Sequence, residues 1–391
     1  MKFYNLHLFL LIQYLTLSLS FSSKENKSIK ISYSGNYLIP TVNIKIEGKN
    51  IEAILDNNLH YNYISTKNLD LTDINFHFNN DKININDKTY DAFFYIGDLS
   101  IYDEKNYFHL ENFNSFVIDD KSIFSTITVS FLLEQLKEQS FINKKNFYID
   151  INNKIFYFGE IPLDSEEYKN LIHNEKYIKP TFYSNNTKGI FKQELNNIFI
   201  GNFYIVKNIS VSFYINEYYT TMPYTLLNDI AKNKIISQFD CNLFLVDQRG
   251  IYSIKCHKKY IEQLPNIYFV FKNNYTFNIP LKLLFENYDE NYQISTFRTK
   301  LKYNNLNKEN KEENDEIIIG YSIIKYFNYS IFSYEDRYAQ FYSDLFINAH
   351  PPIFLNKLID ILLYLLIILF FPAIPFQIYI KYKMKYIKFE Y

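Results

Sequence analysis

The stretch "YLIPTVNIKIEGKNIEAILDNN", residues 37–58, most narrows what the chain can become. Apolar and polar residues alternate on both sides of Glu47-Gly48-Lys49-Asn50, which is the period of a half-buried strand, and the central residues read as a turn. Similar runs recur in "NFYIDINNKIFYFGEIP" and, from residue 197 onward, in "NIFIGNFYIV", "ISVSFYI" and "YFVFKNNYTFNIP". Two segments break the pattern. In "VSFLLEQLKEQ" Val129, Leu132, Leu133 and Leu136 share one helical face, with Ser130 the expected cap, and a second helix is expected around "MPYTLLNDIAKN". These patterns predict a mainly β fold in two lobes, residues 23–180 and 181–350.

The ends carry a different signal. Lys2 precedes the apolar run "LHLFLLIQYLTLSLSFSS", closed by small residues Ser18, Ser20 and Ser22, which is the layout of a secretory signal peptide over residues 1–22. Residues 361–380, "ILLYLLIILFFPAIPFQIYI", hold no charge and are long enough to cross a bilayer as a helix, kinked at Pro372 and Pro375. A helix docked on the protein's own core is the alternative. Lys381, Lys383, Lys385 and Lys388 then mark residues 381–391 as a cytosolic tail. The expected topology is type I, with the lobes in the secretory lumen or outside the cell and the membrane reached through the C-terminal helix.

An oxidising lumen makes a disulfide the favoured state of the two cysteines, Cys241 and Cys256, since "QRG" between them suits a hairpin turn; two free thiols are the alternative. Asn26, Asn185, Asn208, Asn274 and Asn328 each begin a glycan acceptor sequence. Composition excludes other classes. The 41 basic side chains nearly cancel 42 acidic ones, so no bulk field draws the chain to nucleic acid. The seven histidines show no zinc-protease spacing, and there is neither a Gly-rich phosphate loop nor a Gly-x-Ser-x-Gly elbow. No cofactor and no metal are expected.

Over residues 36–345 the order of pieces resembles the pepsin-like aspartic proteases, the peptidase A1 type. "YLIPTVNIKIEGKNIEAILDNNLHYNYIS" is similar to that family's opening hairpin and first catalytic loop. "LLEQLKEQSFINKKNFYIDINNKIFYFGEIP" is similar to the helix and strands closing its first lobe. "CHKKYIEQLPNIYFVF" and "EIIIGYSIIKYFNYSIFSYEDRYAQFY" resemble its Cys then Leu-Pro-x-Ile segment and its Gly-helix-strand segment. The polar run 301–316 reads as a solvated insertion.

The resemblance implies a bilobal shell in which each lobe gives one aspartate to a dyad. Carboxylates about 3 Å apart share a proton, so that one activates water while the other protonates or polarises the peptide carbonyl. Each aspartate of the family heads a turn whose hydroxyl residue braces the opposing loop and whose glycine lets the backbone approach. Asp56 stands in the first position, followed by Asn57 and Asn58, with Leu59 and His60 beyond. Asn57 is expected to offer an amide where the family has the hydroxyl. The second aspartate's place falls on about Tyr214, with Ile215 and Asn216 where Thr and Gly belong; Glu217 is the nearest carboxylate, and strand alternation turns it to the other face. The flap tyrosine's place falls near Asn86, with Tyr90 the close phenol, and "SIFSTI" at 122–127 stands for the first lobe's Gly-containing segment.

Three functions are compatible with this reading. The first is a pseudoprotease that binds a polypeptide partner without cutting it, in the endoplasmic reticulum or beyond, or at the cell surface. The second is an active endopeptidase with an atypical dyad using Asp56. The third is a membrane-tethered structural or adhesion protein.

Overall fold

The computed structural model describes residues 28–34, 39–57, 62–66, 80–85, 88–120, 122–160, 181–183, 191–248, 250–272, 275–299, 316–343, 361–365 and 379–381. The expected signal peptide, residues 58–61, Asn86 and the polar run up to residue 315 lie outside them, as does most of 361–380. Among the described residues no helix is long and apolar enough to cross a membrane.

Alternation becomes strands where predicted. Thr41–Ile46 and Lys49–Asp56 form an antiparallel hairpin, buried on its apolar face. Its turn is shorter than expected. Glu47 and Gly48 alone make it, both at positive φ (46° and 77°), and Lys49 already belongs to the second strand. Two left-handed residues twist in the sense of the flanking strands, and glycine takes that conformation without a Cβ penalty. The Tyr95 hydroxyl donates to the Glu47 carboxylate at 2.7 Å.

Each half has a seven-stranded sheet with the same turn of topology at its centre. In the first half Lys49–Asp56 runs parallel to Ser125–Thr128, and the helix Val129–Glu138 follows at once. In the second half Phe203–Phe213 runs parallel to Glu316–Ile319, followed by Gly320 and the short helix Tyr321–Ile324. The first helix buries Val129, Leu132, Leu133 and Leu136, a contribution on the order of 2 kcal/mol each. Its cap is Thr128 and not Ser130, because parallel pairing holds the chain extended through Thr128. The second predicted helix spans Tyr224–Lys232.

A third, six-stranded sheet joins the halves, ordered Ser28–Ser32, Ile155–Gly159, Asn146–Asp150, Tyr329–Ser333, Tyr338–Tyr342, Thr181–Tyr183. It interleaves strands from both ends of the sequence. The main hydrophobic core runs continuously through both halves. Phe213, Phe277, Phe327, Phe332 and Phe341 pack there with centroids 4.7–6.3 Å apart, close enough for ring pairs to add about 1 kcal/mol each beyond area burial.

Two devices hold the periphery. Asp103 accepts hydrogen bonds from the backbone N–H groups of Ser32 (2.6 Å), Lys105 (2.8 Å) and Asn106 (2.7 Å), which pins the first strand to a turn of the first half. Partial burial opposes its ionisation, but those donors outweigh it and hold the carboxyl down at about 2. In the second half Cys241 and Cys256 face each other on the strands Cys241–Leu245 and Tyr252–His257 and form the expected disulfide, S–S 2.02 Å. Asn208 and Asn328 are the two glycan-acceptor asparagines among the described residues.

Candidate functional site

Asp56 ends the strand Lys49–Asp56 opposite Thr128, one residue before the helix that follows. In the second half Phe213 is opposite Ile319, so the next residue, Tyr214, falls beside Gly320, again one residue before a helix. The Tyr214 N–H donates to the Ile319 carbonyl at 2.9 Å. Counted from the helix start, Tyr214 is thus the topological counterpart of Asp56.

The two loops meet through side chains of a different register. Asn57, 3% exposed, reaches across the junction: its Nδ2 donates to the Phe213 carbonyl at 2.7 Å and its Oδ1 accepts from the Ile215 N–H at 3.1 Å. One carboxamide therefore satisfies a donor and an acceptor at the end of the opposing strand. Both are buried hydrogen bonds, which cost more to break than exposed ones.

From the other side Asn216 returns the contact. Its Nδ2 donates to Asp56 Oδ2 at 2.6 Å, while Asp56 is 2% exposed. Charge fixes the amide's orientation, since turning it would set Oδ1 against the carboxylate. The Asn216 Oδ1 is buried without a hydrogen-bond partner. A carboxamide neither ionises nor shares a proton at accessible pH. Asn216 can orient the Asp56 carboxylate but cannot act with it as an acid–base pair.

Sequence reasoning missed this contact because it counted by register, where Asn216 occupies a glycine's place. The signal was there: a side chain long enough to cross the junction stands where the family pattern has none. Glu217 takes a backbone role, its carbonyl accepting from the Tyr321 N–H at 2.6 Å. Gly320 closes the arrangement. A Cβ there would come within 2.4 Å of the Tyr219 carbonyl oxygen and 2.7 Å of that of Glu217, so no larger residue fits against this loop.

Tyr334 lies in the turn after Tyr329–Ser333, near enough to feel the charge of Asp56. Its hydroxyl is closed off from solvent and has no hydrogen-bond partner. Burial, with the negative charge of Asp56 second, holds the phenol protonated well above its ordinary range. Asn80–Ile85 and Lys88–Tyr102 form a hairpin; Tyr90 lies on its second strand, half-buried against a small cluster containing Ile83 and Ile118. Among the described residues no group of three His, Cys, Asp or Glu side chains is arranged to hold a metal ion.

Beyond Asn216 the second loop meets two cations from other elements. The rings of Tyr218 and Tyr219 meet edge to face, centroids 5.1 Å apart. Arg298 lies 4.2 Å from the Tyr219 centroid, and Lys325 Nζ lies 5.1 Å from that of Tyr218. The Tyr218 hydroxyl donates to Glu286 and accepts from Lys325 Nζ at 3.1 Å.

Neither a family model nor a characterised protein sequence matches the chain. Solved structures do. Basic 7S globulin from soybean superposes with a TM-score of 0.61 at 10% identity, covering 82% of this chain and 96% of its own. An aspartic proteinase from Irpex lacteus gives 0.60 at 9% identity, covering 83% and 99%. Conglutin gamma, a basic 7S globulin from lupine seeds, gives 0.59 at 10% identity, covering 82% and 95%. The fold is that of the pepsin-like aspartic proteases and of these globulins.

Proposed function

We propose that this protein is a non-cleaving relative of the pepsin-like aspartic proteases that binds a polypeptide. The observation that carries the reading is the amide of Asn216 on Asp56. Peptide hydrolysis by a dyad needs a second group able to exchange a proton with the first, and the amide that meets Asp56 cannot serve as one. Burial adds a second reason, since Asp56 is shut away from solvent at the floor of the junction, where Asn57 ties the two loops together. Fold alone does not choose, since it is shared by a protein named a proteinase and by two named globulins.

The charge-free run 361–380, the lysines after it and the N-terminal apolar run support a type I anchorage in the secretory route, with the β halves on the luminal or outer side. The disulfide agrees with that compartment.

The test is hydrolysis of a diverse peptide library by the full-length chain from about pH 3.5 to 7.5, a range that spans dyad and single-carboxylate chemistry, with Asp56→Asn alongside. The expected result is no cleavage by either folded protein. Cleavage by the wild type that disappears in Asp56→Asn would overturn the proposal in favour of an endopeptidase with an atypical dyad.

A further inference from the structure

Two asparagines that head glycan acceptor sequences are treated differently by the fold. Asn208 is exposed on the strand Phe203–Phe213, followed by buried Ile209 and half-buried Ser210. Its φ is 56°, a left-handed value that asparagine takes more readily than most residues with a Cβ. Asn328 is half-buried, and its carbonyl accepts from the Ile151 N–H at 3.0 Å. The acceptor serine after it, Ser330, is 0% exposed inside the six-stranded sheet, opposite Ile149 on one side and Phe341 on the other. A glycan is bulky and hydrated and belongs on the surface. Asn208 meets that condition, whereas Asn328 leads into a strand paired on both sides.

The surroundings of Asn208 give a glycan something to cover. Phe203–Phe213 pairs along one side with Lys192–Ile200, but on its other side the parallel ladder with Glu316–Ile319 begins only at Ser210. Among the described residues, 203–209 therefore present an open strand edge, and at its tip Phe203 and Tyr204 are 45% and 51% exposed. An open edge beside exposed aromatic rings is a template on which another chain can pair. Asn208 stands on that edge, two residues before the ladder resumes.

We propose that Asn208 carries an N-linked glycan that shields this edge. The inference rests on the luminal placement of the β halves proposed above. The donor is an oligosaccharide held on a lipid pyrophosphate: Asn208 Nδ2 bonds to the anomeric carbon of the first sugar, the bond from that carbon to the pyrophosphate oxygen breaks, and one amide proton is lost. The lipid pyrophosphate leaves with the bonding pair, and nothing is oxidised or reduced.

The experiment expresses the full-length chain in a eukaryotic host, treats intact microsomes with protease, and maps peptides of the protected protein after enzymatic release of glycans, which leaves aspartate at each formerly occupied asparagine. Asn208 should be occupied and Asn328 bare. Ser210→Ala removes the acceptor hydroxyl while keeping the left-handed asparagine and should abolish the Asn208 signal alone; Ser210→Thr should retain it. In detergent, Ser210→Ala should self-associate at lower concentration than wild type by light scattering. Thermal melts show whether the variant is folded, and wild type stripped of glycans after folding should behave in the same way. Protected protein with Asn208 bare would overturn this inference and leave the luminal reading standing. Digestion of the β halves in intact microsomes would overturn both. An occupied Asn208 whose loss leaves self-association unchanged would overturn the shielding role.

Discussion

The two loops at the junction share a frame and differ in what they send across it. In both a strand runs parallel to its neighbour up to the start of a helix, the first ending at Asp56 and the second at Phe213, just before Tyr214. The first loop offers side chains, Asp56 and Asn57; the second offers the backbone of Phe213 and Ile215 and the amide of Asn216. A symmetric pair of acids requires that both loops present the same group at the same register. Here the second loop has moved its cross-junction side chain two residues along. The lesson is that the hydrogen bonds that bind two halves at such a junction are a separate requirement from any that move protons.

That contrast can be broken most severely from the second loop. Gly320→Ala sets a methyl against two backbone carbonyls that cannot rotate away, and the expected loss is about 3 kcal/mol or more, seen as a large fall in the denaturation midpoint. The first loop should be the next most sensitive. Asn57→Leu removes the bonds to the Phe213 carbonyl and the Ile215 N–H, a cost of about 2–3 kcal/mol that denaturant unfolding would register; an unchanged midpoint would show that the brace is dispensable.

Asn216→Asp sharpens the comparison by making the loops chemically alike. Two carboxyls at the separation now spanned by a hydrogen bond of 2.6 Å must share a proton. The folded pair then holds a proton above the pH at which the unfolded chain would release it, so stability is retained in acid and lost as pH rises, by about 2 kcal/mol at neutral pH. Melts of this variant at about pH 4 and pH 7 should diverge from wild type only at the higher value, and a uniform loss would place the two side chains apart.

The smallest effect lies away from the junction. Asp103 is held down at about 2 by backbone donors, and a depressed folded value contributes stability above about 4, lost as pH falls through about 2. Solvent screening limits it to about 1 kcal/mol. Asp103→Asn should flatten that part of the acid unfolding curve and leave the junction untouched.

Much of the fold was legible because periodicity survives tertiary packing. The hairpin at 41–56, the helices at 129–138 and 224–232 and the cysteine pair all follow from local pattern. The Glu47-Gly48 turn was misjudged by two residues because Lys49 and Asn50 look like turn formers yet pair as strand. Ser130 failed as a cap for a tertiary reason, the parallel neighbour that keeps Thr128 extended. At the site Asn57 was legible as a brace, since only a side chain with donor and acceptor could replace a hydroxyl there. Asn216 was not, because register arithmetic predicts which residue is equivalent and not how far its side chain reaches. The contacts of Tyr218 and Tyr219 with Lys325 and Arg298 were hidden too, their members being scattered from Tyr218 to Lys325 along the chain.

The interleaved six-stranded sheet has a consequence in time. Phe147 pairs with Phe332, a partner made 185 residues later. At ribosomal speeds that gap is roughly 10 to 40 s. Through that interval the nascent strand 146–150 has an open edge rich in aromatic residues, so the chain's hazard during synthesis lies in its first-made half waiting for its last-made strands.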